Sequence, residues 1–200
     1  MKTKLLALLL LTSPALAQNP ADLPHFLKVN DGIYRGGRPT EAGLEFLKSK
    51  FGIKTVINLQ GGDLQKKLLR PYIKLTEKGE LPENIKKEGV IAEKLGMVYL
   101  NYPLNSLANI TEQESVWIQD ILVIISDPTL QPVYIHCEHG HDRTGMIIAL
   151  ERVINEDWSI DRAKMEWRAL GHGFISRIFT GKLDKYFNQQ AALQLPTYTE

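Results

Sequence analysis

The 200-residue chain has one cysteine, Cys137, so no disulfide can form within one copy. That excludes the small cysteine-stapled scaffolds common among exported proteins. Charge of one sign is not in excess either. The formal net charge is +1, so bulk charge gives no case for a nucleic-acid partner. Internal repeats, low-complexity tracts and a linker long enough to divide domains are all missing. With 44% hydrophobic and 24% charged residues, this is the composition of one ordinary globular domain. Its core can be large enough to need no metal staple.

The first residues carry a different pattern. Lys2 and Lys4 form a positive head, Leu5 to Leu11 an apolar run, and Ala15-Leu16-Ala17 a small-x-small cleavage site. The run is too short to span a bilayer as a helix. Residues 1–17 are expected to be a signal peptide, giving an exported protein, periplasmic or secreted, with no stable membrane insertion. Export makes the single cysteine informative, because an unpaired thiol in an oxidising compartment suggests that its reactivity is used.

Residues 18–30 read as a lead-in segment, and residues 31–195 as a single domain. Apolar and β-branched runs predict strands at 33–35, 54–59, 97–100 and 132–136. Helices are expected at 41–50, capped by Thr40, and at 84–95. Thr111-x-x-Glu114 is a capping box that opens a helix to about Ser126. Further helices are expected from Arg143 to about Asn155, from Ser159 through Leu170, and at 183–193. A short helix and a loop are read into 61–83. This alternation predicts a three-layer α/β/α fold with a short, mostly parallel central sheet.

The cysteine lies at the end of the 132–136 strand, in His136-Cys137-Glu138-His139-Gly140-His141-Asp142-Arg143-Thr144-Gly145. A helical run follows at once. Cys137 can supply a thiolate, and the amides from Glu138 to Arg143 can form an anion nest at a helix N-terminus. Gly140 permits the turn. Arg143 offers a planar fork to two phosphate oxygens. Thr144 can donate to the departing sulfur, and His136 can bond backbone near Cys137. His139 and His141 stand on the outer rim, to meet substrate or water.

Cys137-x5-Arg143-Thr144-Gly145, preceded by His136, resembles the signature loop of cysteine-dependent protein tyrosine and dual-specificity phosphatases. The resemblance extends over residues 31 to 173. It includes Ile33 to Thr40, Gly52 to Leu59, Gly96-Met97, Tyr102-Pro103-Leu104, Trp158-Ser159 and Ala163 to Gly171, as in small bacterial and atypical dual-specificity members. It implies phosphate ester hydrolysis through a cysteinyl-phosphate intermediate, without a cofactor or metal. The departure lies in the acid loop. Asn105 occupies the place of the usual aspartate, and no Asp or Glu occurs from Asn101 to Thr111. The order Cys-x4-Asp-Arg-Thr also resembles myotubularin and Sac-type phosphoinositide phosphatases. Asp142 is thus a candidate proton donor, with a pKa raised beside a bound dianion. The competing reading has Asp142 bonding loop amides or a neighbouring helix and shaping the loop, and the remaining alternatives are Glu112, Asp63 or no acid at all.

Two substrate classes fit, phosphorylated protein and phosphoinositide or inositol phosphate, and the protein is expected to act as a monomer. Lys66, Lys67, Arg70 and Lys74, with Arg38, form either a pocket for a polyanion or a solvated face. Three other functions compete. A catalytically weak phosphate- or phosphoprotein-binding module would explain Asn105. Metal binding could use His136, Cys137, His139 and His141, although neighbouring strand residues point to opposite faces. A thiol redox enzyme would lack its resolving cysteine.

Overall fold

The computed structural model describes residues 21–61 and 82–193. The proposed signal peptide, Asp63 and the basic residues Lys66, Lys67, Arg70 and Lys74 lie outside them. Five strands and six helices are present among the described residues. They run in the order β1 (Leu27–Lys28), β2 (Ile33–Gly36), α1 (Glu41–Phe51), β3 (Thr55–Asn58), α2 (Glu83–Lys94), β4 (Val98–Asn101), α3 (Glu112–Ser126), β5 (Val133–His136), α4 (Asp142–Ile154), α5 (Ile160–Ala169) and α6 (Phe174–Leu193).

The sheet order is β1-β2-β5-β3-β4. β2, β5, β3 and β4 are parallel to their neighbours, and only β1 runs antiparallel. Side chains alternate between the faces of a strand. Ile33, Ile57, Val133 and Ile135 therefore enter one core with residues of α3, α4, α5 and α6. Tyr34, Val56 and Tyr134 enter the other, with Leu44 and Leu47 of α1 and Ala92 of α2. Two apolar faces require two covering layers, and this gives the α/β/α sandwich.

α4 is the helix buried all round, from Arg143 to Val153. This explains why its sequence is apolar without a clear stripe. Thr40 caps α1 by accepting from the Gly43 N–H, and Thr111 and Glu114 complete the reciprocal capping box of α3.

Two stretches differ from the sequence expectation. The described part of the lead-in, residues 21–30, is folded: β1 pairs with β2, and Leu23 is buried in the α1 core. Its two prolines and short apolar groups concealed a strand only two residues long. The last helix begins at Phe174 rather than Leu183, with a non-helical residue at Thr180. Gly173 and the break at Thr180 divided the periodicity and hid the first turns.

Candidate active site

β5 is the central strand, and its end sets the site. Gly36 of β2 and Asn58 of β3 both lie in register with His136. Cys137 follows directly, at the carboxyl ends of three parallel strands, where open α/β sheets bind ligands.

The loop from Glu138 to His141 is held by its carbonyls. Glu138 O accepts from Arg38 N at 3.1 Å. His139 O meets His25 Nδ1 at 2.9 Å, which must donate because a carbonyl only accepts. Gly140 O accepts from Arg35 Nη2 at 2.5 Å. His141 O accepts from Trp167 Nε1 at 3.1 Å and from Gly145 N at 3.0 Å. In a trans peptide the N–H points opposite to the C=O. Carbonyls tied outward therefore turn the amides inward, which is what an anion nest requires.

Two glycines make this packing possible. Gly140 has φ +78°, and a Cβ there would lie 2.4 Å from the Gly36 carbonyl carbon. A Cβ on Gly145 would lie 2.2 Å from Trp167 Cδ1, so this glycine lets the indole reach the loop.

Cys137 is buried, and burial works to push its thiol up. The Arg143 guanidinium, the Thr144 hydroxyl and N–H, and the Gly140 N–H outweigh burial and bring the thiol below its ordinary value. The Thr144 hydroxyl is itself buried and makes no hydrogen bond to nitrogen or oxygen. Arg143 is aimed by two carbonyls: its Nη1 donates to Leu59 O at 3.1 Å and to Leu104 O at 3.3 Å. Nucleophile, nest and guanidinium thus converge on one point.

The other sequence candidates fall into place around this centre. The Glu138 side chain accepts from Arg38 Nη2 at 2.5 Å and from Gln60, so Arg38 serves the loop. His139 is exposed at the rim, and the His141 ring lies tilted, 4.2 Å from the His25 ring. His136 is fully buried, with Nδ1 at 3.2 Å from Cys137 O and Nε2 at 2.8 Å from Glu88 Oε1. The four residues considered for a metal do not converge, since His136 turns into the α2 layer and His141 towards His25. No group of three metal-ligating side chains occurs among the described residues.

Asn105 has a structural part. Its N–H donates to Glu114 Oε1 at 2.6 Å, and its Oδ1 accepts from Leu107 N at 2.8 Å. Asp142 faces the last helix. Its Oδ1 meets His172 Nδ1 at 2.7 Å and accepts from the Ser176 hydroxyl. Burial would raise its carboxyl, but the His172 and Ser176 hydrogen bonds and the His172 and His141 charges bring it below the ordinary range. A carboxyl so held is an anion at neutral pH. These contacts describe the second reading, in which Asp142 bonds a neighbouring helix and shapes the loop.

Several members escaped the sequence reading: Arg35, His25 and Trp167 on the loop carbonyls, His172 on Asp142, and Glu88 under His136. Glu88 left a signal, because it shares the buried stripe of α2 with Ile85, Gly89 and Ala92. A glutamate in an apolar stripe calls for a partner.

A buried thiol of lowered pKa ending a central parallel strand, an inward amide nest and an arginine opening the next helix define a cysteine-dependent phosphatase. Residues 22–194 match the model of the tyrosine phosphatase family, and the chain belongs to that family. Over 132 residues it is 28% identical to inositol diphosphatase DSP2 of Oryza sativa subsp. japonica, covering 66% of this chain and 55% of the relative. It is 26% identical over 149 residues to inositol diphosphatase SIW14 of Saccharomyces cerevisiae, covering 72% of this chain and 44% of the relative. The chain thus spans about half the length of these two relatives. Among solved structures, P. aeruginosa TpbA superposes with a TM-score of 0.62 at 17% identity, covering 89% of this chain and 92% of that one. The catalytic core of SIW14 superposes with a TM-score of 0.57 at 20% identity, covering 84% and 91%.

Proposed function

We propose that the protein hydrolyses phosphate esters or anhydrides whose leaving group departs without strong acid assistance, with inositol diphosphates as the favoured class. The Cys137 thiolate attacks phosphorus, the S–P bond forms, and the bond to the leaving oxygen breaks. Water then attacks the cysteinyl-phosphate, releasing phosphate and restoring the thiolate. Inward amides and Arg143 stabilise the equatorial oxygens in both steps.

The observation that carries this reading is the convergence on Cys137 of a lowered thiol, the amide nest and Arg143. The leaving-group preference follows from the acid loop. Asn105 cannot donate a proton as an acid does, Glu114 is engaged in a capping box, and Asp142 is paired with His172. A diphosphate or a phenol leaves as a stabilised anion, whereas an alkoxide needs protonation. The two relatives bearing the name inositol diphosphatase support the same class.

The test is a panel of phosphotyrosine peptide, phosphoserine peptide, phosphoinositides, inositol phosphates and inositol diphosphates with wild type and Cys137→Ser. The expected order places inositol diphosphate and aryl esters ahead of phosphoserine, with every activity lost in Cys137→Ser. Turnover surviving Cys137→Ser removes the covalent mechanism. Phosphoserine turned over as fast as the diphosphate removes the leaving-group argument. Export through cleavage after Ala17 belongs to the same proposal. N-terminal sequencing of the mature protein from its native source tests it, and an intact Met1 refutes it.

A further inference from the structure

The first turns of α6 carry their polarity reversed. The side towards the protein holds Ser176 and Thr180, whose hydroxyls donate to Asp142 Oδ1. The side towards solvent holds Phe174, Ile175, Ile178 and Phe179, which are 78%, 73%, 62% and 65% exposed. At about 100° per residue these four span about 140° of the helix surface. An amphipathic helix normally turns such a stripe to its own core. Here the stripe projects as a ridge, and contiguous apolar surface left open in this way marks a place where something docks.

The charges around the ridge have one sign. Arg168, Arg177, Lys182 and Lys185 are exposed. The two acidic side chains between Lys164 and Phe187, Glu166 and Asp184, are tied to Arg152 and His172. Arg177 shares Asp184 at 3.6 Å, and Lys182 and Lys185 have no acidic partner among the described residues. The whole chain carries a formal charge of only +1, so this basic rim is local. A second copy docked across a twofold axis would set the rim against itself, like charge on like. An anionic bilayer instead offers acyl chains to the ridge and phosphate head groups to the rim. Such contact stays at the surface, since no helix among the described residues is long and apolar enough to cross a membrane.

We propose that the start of α6 is a membrane-docking ridge: Phe174, Ile175, Ile178 and Phe179 enter the interface of an anionic bilayer while Arg177, Lys182 and Lys185 meet its head groups. The polar side of the same turns bonds Asp142, the residue before Arg143, so docking brings the catalytic loop next to the lipid surface. The dock does not depend on the chemistry of Cys137.

The test uses residues 18–200, so that the apolar run Leu5 to Leu11 does not itself bind lipid; every described element and the whole family match lie within them. Hydrogen exchange is followed by mass spectrometry with vesicles of phosphatidylglycerol and phosphatidylcholine in equal parts, and with phosphatidylcholine alone. The amides of 174–182 are expected to slow on the mixed vesicles and to exchange as in buffer on the neutral ones. Co-sedimentation then gives the affinity. Lys182→Gln should weaken it about fivefold, and Phe174→Ser with Ile178→Ser by more than about tenfold. Both variants should turn over p-nitrophenyl phosphate in solution as the wild type does, because the substituted side chains are exposed. Absence of binding to the mixed vesicles, equal binding to both kinds, or slowed exchange confined to other segments overturns the proposal. So does a stable dimer that Phe174→Ser with Ile178→Ser dissolves, which would make the ridge a contact between copies. Cys137→Ser should bind as tightly as the wild type, so failure of the covalent mechanism and failure of the dock are read separately.

Discussion

Asp142→Asn separates a proton donor from a residue that holds the loop. Asp142 sits one turn-opening position before Arg143, and its Oδ1 is bound by His172 Nδ1 and Ser176. The His172 ring is fully buried and also meets Asp184 Oδ2 at 2.6 Å. Burial would lower His172, but its hydrogen bonds to Asp142 and Asp184 and their charges raise it above the usual imidazole value. The His172 ring between two carboxylates thus ties the start of α4 to α6. The Asn side chain keeps an acceptor for Nδ1 and removes one charge, while Asp184 remains. The expected cost is about 2 kcal/mol, below the range for stripping a buried ion of its only partner. For a chain of this size that is a fall in Tm of about 4–8 °C.

The pH dependence has a definite sign. Stability from the raised His172 is complete below about pH 6.5 and is lost as pH rises through its folded value. Stability from the lowered Asp142 and Asp184 is present above about pH 4 and is lost as pH falls through their folded values. The tie is therefore complete between about pH 4 and 6.5 and weakens on both sides. In Asp142→Asn the alkaline loss should begin at lower pH, because one of the two raising partners is gone. Calorimetry across pH 4 to 9 measures this. Parallel kinetics with an aryl and an alkyl phosphate complete the test. A positioning residue loses activity on both by a similar factor. A general acid contributes about 10²–10⁴-fold and is felt mainly where the leaving group needs the proton. A large loss confined to the alkyl ester, with Tm and its pH profile unchanged, would refute the structural assignment.

Gly145→Ala should lower stability by about 1–3 kcal/mol, because its Cβ meets the Trp167 ring at 2.2 Å and that indole is held by the His141 carbonyl; chemical denaturation checks it, and an unchanged midpoint would show that the indole moves freely. Arg35→Met keeps most of the buried volume and removes the donor to Gly140 O. It should lower kcat/KM by about tenfold or more through a loosened loop, with one buried carbonyl left unpaired; unimpaired kinetics would show that the loop holds its shape without that donor. Hydrogen peroxide should inactivate the enzyme, with inorganic phosphate protecting, since the lowered thiol is the chain's single cysteine and has no intramolecular partner; mass spectrometry should place the oxidation on Cys137.

The parts of the fold that were legible in the chain are those encoded locally. The β-branched runs gave β3 and β5 to within a residue. Thr40 and the Thr111–Glu114 box marked the starts of α1 and α3, because a cap is a contact between residues three apart. The loop chemistry was legible for the same reason, since Cys137, Arg143 and Thr144 lie within eight residues. What stayed hidden is encoded by distance along the chain. His25 lies 114 residues from the carbonyl it meets and Arg35 lies 105. An arginine inside β2 reads as an interruption of an apolar strand until its acceptor is known. The partners of Asp142 were hidden for a related reason. A carboxyl next to Arg143 looks like part of the chemistry, and only α6, folded back over α4, shows where it is spent.

The four outward carbonyls explain why so short a motif needs so large a domain. A loop from Glu138 to His141 could not keep its amides inward unaided, because free peptides would turn to pair with water. Each carbonyl is held by a different part of the chain: the residues after β2, the segment before β1, β2 itself and α5. The donors come from separate segments, so the shape of the loop depends on all of them together. Asp142 holds the far end of the loop to His172, just before α6, and to Ser176 within it, and Glu88–His136 holds the near end to α2. The anion site is therefore a property of six elements meeting at the carboxyl ends of the strands. Substitutions at Arg35 or Trp167 should consequently weaken phosphate binding although neither side chain reaches the nest, and vanadate titration of Arg35→Met and Trp167→Phe would show it; affinities equal to wild type would mean that the ten-residue motif shapes itself.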